Sequence, residues 1–203
     1  MNLPELTSDQ ILALAYMPAP RREAVRALWQ LDAALAAAAL SGREPMIRRI
    51  KLTWWREALE RLDTAPPPAE PTLEAVATRI LPLGITGADL SRLEEGWACA
   101  ADDDDRQGHE ARGRVLFDLT ARLLGQPADA GQLSAGEGWA LIDLAHRTGN
   151  SAAPDIPDLR WPPRLRPLGM LAVLARDDAL HGPTAQGSPR RMLRMLRHRL
   201  TGR

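Results

Sequence analysis

The chain has 203 residues, enough to bury one core, and a single domain over 1–203 is expected. Formal charge is zero, with 26 basic and 26 acidic residues, so overall electrostatics nominates no nucleic acid as a partner. Hydrophobic residues reach 45% with one Tyr and one Phe, and alanine and leucine dominate β-branched residues, which predicts an all-α fold. The single cysteine, Cys99, excludes an intramolecular disulfide and fits a reducing compartment. No apolar core of signal-peptide length opens the chain, and no run approaches the roughly 20 apolar residues of a membrane span. The expectation is a cytoplasmic helical protein.

Thr7 and Gln10 have capping-box spacing for a short helix through Ile11, Leu14 and Tyr16. Met17-Pro18-Ala19-Pro20 separates it from a long helix over about 20–40, with Val25, Leu28, Trp29, Leu35, Ala36 and Ala39 on one face. Ser41-Gly42 stops that helix and Pro45 starts the next, so the two should pack as an antiparallel pair. On the second of them Ile47, Ile50, Trp54 and Ala58 form one stripe, widened by Trp55, Leu59 and Leu62. Arg56–Glu60 and Glu57–Arg61 take i,i+4 spacing on the opposite side.

Residues 64–71, with four prolines, read as a surface linker. Helices are predicted over about 72–81, 88–101, 112–124 and 133–146, with Asp102–Asp105 as a loop or fraying end. Residues 148–167 read as an extended excursion, and the last two helices over 168–180 and 189–200. From Arg190 to Arg203 there are six arginines and no acid, balanced by an equal acidic excess in the rest of the chain. Met192, Leu193, Leu196 and Leu200 share a face there, with Arg190, Arg191, Arg194 and Arg197 around it. The basic amphipathic segment 188–203 suits two fates, packing as a terminal helix or docking as a peripheral element on a membrane or protein partner.

The pair R-R-E-A-V-R-A-L-W-Q-L-D-A-A-L-A and I-K-L-T-W-W-R-E-A-L, joined by S-G-R-E-P-M, resembles the squalene/phytoene synthase family. The likeness covers roughly residues 8–63 and is closest to a degenerate branch that includes assembly factors for respiratory complex I. Weaker matches follow at L-S-R-L-E-E-G-W, G-R-V-L-F-D-L-T-A-R-L-L-G and R-M-L-R-M-L-R-H-R-L-T-G-R. The resemblance implies an isoprenoid-synthase-like helical bundle around a central apolar cavity, truncated here. Active members join two prenyl diphosphates through Asp-rich motifs on facing helices that hold Mg²⁺, a hard cation that prefers oxygen ligands. Alignment puts Ala36 and Leu40 where the first motif has its aspartates, and neither can bind a metal. In the second motif's helix Asp143 has no acidic partner one turn away. The family member expected is therefore non-catalytic, without a cofactor, and a binder of an isoprenoid or lipid-like ligand or an assembly protein. Its alternatives are a prenyl-diphosphate-condensing enzyme using Mg²⁺ on displaced carboxylates, and a structural module docking through 188–203.

Asp32, on the apolar stripe of the second helix, and Asp143 are the weak catalytic candidates. Asp32 needs a partner if buried, and Arg56 or Lys51 is the expected one. Asp102 and Asp105 are weak metal candidates, though adjacent carboxylates repel and are ordinarily solvated. Asp177-Asp178 reads as an exposed pair, and Asp143 with His146 supplies two of the ligands a metal needs. Trp29, Trp54 and Trp55 are core residues, and in a prenyl-synthase-like fold they are cavity-lining candidates.

Overall fold

In the computed structural model, which describes residues 3–41, 44–102, 106–150 and 152–203 with the side chains of 100–102 excepted, the elements are helices and no strand occurs among the described residues. The Thr7/Gln10 capping box closes in both directions, at 3.0 and 3.2 Å, and starts α1 (Ser8–Ala15). The proline-opened helices follow as expected, α2 over Ala19–Leu40 and α3 over Pro45–Arg61. Glu70 caps α4 (Pro71–Arg79) by accepting from the Leu73 N–H, and a 3₁₀ turn at Leu81–Leu83 ends on Gly84. The first amides of α5 (Gly87–Asp102) donate to the Asp63 carboxylate at 2.6 and 3.1 Å, which ties this helix end to the close of α3.

Helix α6 runs over Arg106–Leu123, α7 over Ala130–Thr148, α8 over Arg166–His181 and α9 over Pro189–Thr201. Residues 152–165 are without regular helix beyond a short turn, as expected. Two boundaries differ from the sequence reading. Helix α7 starts earlier because Asp129 and Gln132 form a second capping box. Helix α6 starts six residues earlier, because its first turns pack through glycines instead of an apolar stripe.

Helix α2 is the hub. It touches α1, α3, α4, α5 and α6, and its Trp29, Leu31 and Leu35 are buried. Helices α5, α6 and α7 form the tightest layer. A methyl placed on Gly113 would come within 2.1 Å of the Gly136 carbonyl oxygen, so α6 and α7 meet backbone to backbone there. Helix α8 covers α7, and α9 and α1 close the far side.

The buried face of α3 is Leu52, Trp55, Ala58 and Leu59 rather than the whole predicted stripe, and its main neighbour is α5 with α2 second. Met46, Ile47, Ile50 and Trp54 point outward; Ile50 is 62% exposed and Trp54 44%. Helix α3 is apolar on two sides, and among the described residues only one of them is covered. Arg56 ignores Glu60 and pairs instead with the buried Glu94 of α5 at 2.7 Å. Burial pushes the Glu94 carboxyl above its ordinary range even with that partner beside it.

Candidate functional site

Three helices bring charged side chains to one point in the interior, and a fourth adds an indole. Asp32 of α2 is buried, and its partner is neither Arg56 nor Lys51 but Arg112 of α6. Arg112 Nη1 donates to both Asp32 oxygens at 3.3 and 3.1 Å. Its Nη2 donates to Asp143 Oδ2 at 3.0 Å and to the Ala140 carbonyl at 3.1 Å, both on α7. The Trp97 indole N–H of α5 donates to Asp32 Oδ1 at 2.9 Å. The guanidinium lies 4.1 Å above the Trp97 ring centroid and 5.5 Å from that of Trp139. Arg147, one turn beyond Asp143, donates to the same Oδ2 at 2.9 Å.

Two carboxylates and two guanidiniums make a neutral centre, the arrangement that permits burial of charge. Burial pushes the Asp143 carboxyl up, but Arg147 and Arg112 outweigh it and hold it below its ordinary value. The glycines explain how Arg112 reaches this point. A methyl on Gly96 would lie 2.5 Å from Arg112 Cβ, so the absent side chain lets α6 press the arginine onto α5 beside Trp97.

Asp32 and Asp143 thus converge from two helices, which is the geometry a cation between facing carboxylates requires. Arg112 already fills the space. Mg²⁺ needs oxygens at about 2.1 Å in near-octahedral array, and a guanidinium within 3.3 Å of both carboxylates occupies that volume. The residues present do not fit Mg²⁺. Among the described residues no group of three or more His, Cys, Asp and Glu is placed to hold a metal ion. Asp105 lies outside the described residues, as does the side chain of Asp102. Ala36, aligned to a metal-binding aspartate, is buried in the core and Leu40 is half-buried beside it.

A second cluster lies under α9. Arg191 was expected on an exposed rim and is instead buried, forked between Asp9 of α1 and Asp178 of α8. Its Nη1 donates to the Asp178 oxygens at 2.8 and 2.6 Å and to Thr184 Oγ1 at 3.0 Å; its Nε donates to Asp9 Oδ2 at 2.9 Å. Asp177 and Asp178 are therefore buried, not the exposed pair the sequence suggested. Asp177 meets Arg194 and His181 at 2.9 Å each. His146 pairs not with Asp143 but with Asp178, its Nε2 3.3 Å from Oδ2. Burial pushes the Asp178 carboxyl up, while His146 and Arg191 together hold it below its ordinary value.

This cluster borders a cleft of about 890 Å³ between the C-terminal ends of α7 and α8. Its walls are small and largely apolar, Ile142, Ala145, Ala152 and Ala179 among them, with His146 and Asp178 as polar groups on the inner side. The cleft can seat an apolar body and offer a hydrogen bond to one polar end. Thr184 Oγ1 donates to Asp178 Oδ1 at 3.2 Å and accepts from Arg191 Nη1 at 3.0 Å, which ties the loop after α8 into the cluster. Neither Trp29, Trp54 nor Trp55 lines the cleft. Trp29 is a core residue whose indole N–H donates to Thr120 Oγ1 at 3.1 Å, Trp55 is buried under α3, and Trp54 faces outward. The sequence reading missed Arg112 and put Arg191 and Asp178 on the surface, where the structure buries both; the one available signal was that a stripe carboxylate such as Asp32 demands a cation. No family model matches the chain, and neither a curated protein nor a solved structure is similar to it at a significant level.

Proposed function

We propose that the chain is a non-catalytic member of the squalene/phytoene synthase family, a helical scaffold that binds an isoprenoid or lipid-like ligand or serves in assembly. The observation that carries the reading is the Arg112 guanidinium clamped between Asp32 and Asp143. Condensing two prenyl diphosphates needs divalent cations bridging carboxylates to diphosphate oxygens. A buried arginine that satisfies both carboxylates supplies a fixed charge to the fold and leaves no oxygen pair facing a substrate. The cleft at the ends of α7 and α8 has room for an apolar ligand.

The test is incubation with farnesyl and geranylgeranyl diphosphate and Mg²⁺, following release of inorganic diphosphate. No release above the protein-free rate is expected. Release that disappears in a folded Asp32→Asn or Asp143→Asn variant replaces this reading with the prenyl-condensing one. The outward apolar face of α9 favours a second reading, an interaction module docking through that helix.

A further inference from the structure

Helix α9 is mounted with its apolar side out. Its buried positions are Arg191, Met195 and His198, while Met192, Leu193 and Leu200 are exposed, the two leucines at 71% and 78%, and Leu196 is half-buried between them. A free helix of this sequence would turn its leucines toward the protein, because burying a leucine is favourable and burying an arginine is costly. The opposite orientation is held from several directions. Arg191 is locked between Asp9 and Asp178. His198 packs beside Trp161 and against Gly169, where any larger residue would collide with its ring. Gly202 accepts from the Trp161 N–H at 2.9 Å, and Arg166 donates to the Leu200 carbonyl at 2.9 Å. The exposed stripe is therefore a fixed display, not a frayed end.

We propose that this face of α9 docks the protein peripherally on a bilayer surface rich in anionic lipid. The proposal needs only α9 and stands whether or not the family reading holds. The stripe from Met192 to Leu200 is about 12 Å long at 1.5 Å per residue, suited to lying in the headgroup plane. Its rim is cationic along one edge. Arg190, Arg194 and the exposed Arg197 follow one another at i, i+4 and i+7 along that edge, beside Leu193, with Arg190 and Arg194 3.7 and 2.9 Å from Asp177. No acid occurs from Arg190 to Arg203. Arginine stems lie along apolar surface while their guanidiniums reach lipid phosphates in a two-pronged bond. That charge complementarity selects an anionic bilayer over a neutral one. No described helix is long and apolar enough to cross a membrane, so the contact is with the surface.

The experiment is co-sedimentation of the full chain with vesicles of phosphatidylcholine alone and of equimolar phosphatidylcholine and phosphatidylglycerol, at low and high salt. Binding is expected to the anionic vesicles only and to weaken with salt. Leu193→Gln/Leu200→Gln, both at exposed positions, should keep its helical circular dichroism and melting temperature and lose at least about tenfold in binding. Arg197→Gln should lose about fivefold, the share of one surface cation. Failure of the wild-type chain to bind anionic vesicles overturns the proposal, and so does undiminished binding by the double variant. A dimer in sedimentation velocity that the double variant abolishes, with no vesicle binding, assigns the face to a second copy of the chain instead.

Discussion

Arg112 and Arg191 are both buried guanidiniums held by two aspartates from different helices, but their surroundings differ. Arg112 is sealed in the centre, stacked on Trp97 and closed in by α2, α5, α6 and α7, with no solvent contact. Arg191 sits near the edge, beside the α7/α8 cleft, with Thr184 and His146 sharing its aspartate. The difference teaches where a buried charge is structural and where it can respond. Removing the cation in the centre strands the sealed Asp32 and leaves Asp143 with Arg147 alone; removing the one at the edge leaves Asp178 with His146 and an open cleft.

Arg112→Met should have the largest effect, about 3–5 kcal/mol of stability lost in urea denaturation, the cost of breaking a buried pair from one side. Asp32→Leu with Arg112→Met should recover part of that loss, since the unpaired charge is gone. Arg191→Met should cost less, about 2–3 kcal/mol, because Asp9 and Asp178 can rehydrate. If Arg191→Met proves the more damaging, the centre-and-edge distinction is wrong and α9 is the keystone.

Acid should separate the two regions with a smaller effect. Burial, with Arg166 nearby, lowers the His198 imidazole from 6.5 to about 4. Above pH 6.5 it is neutral in both folded and unfolded chains and costs nothing. As pH falls below 6.5 the unfolded chain binds a proton that the fold excludes, so stability drops until about pH 4. At pH 5 the loss should be about 2 kcal/mol. Asp143, held below its ordinary carboxylate value, keeps its contribution to the centre until the pH falls below about 4. Amide exchange at pH 5 should therefore quicken in α9 before α6 and α7, and His198→Phe should flatten the pH dependence of stability between 6.5 and 4.

Much of the secondary structure was legible because it is written locally. The Thr7/Gln10 box, Pro45 at the start of α3 and the prolines of 64–71 act over a few residues, and each element lies where they put it. The start of α6 was missed for a physical reason. Periodicity detects side chains that pack, whereas Gly108 and Gly113 pack by having none, against Cys99 and Gly136. Facing was missed for another. A helical wheel groups Met192, Leu193, Leu196 and Leu200 without saying which way the group points, and on α9 the Arg191 fork decides it. Asp32 was recognised as needing a cation, but Arg112 lies 80 residues away and only the fold brings it in.

The outward stripe of α3 has a consequence for spectroscopy. Of the six tryptophans, Trp29, Trp55, Trp97, Trp139 and Trp161 are buried, and Trp54 alone is substantially open to solvent, its ring edge-on to Trp55 at 5.3 Å. Collisional quenching of the native emission by iodide therefore samples chiefly one indole. The chain carries its own optical gauge of the Met46–Trp54 face: any molecule that settles there will shield the emission from iodide, with no dye attached.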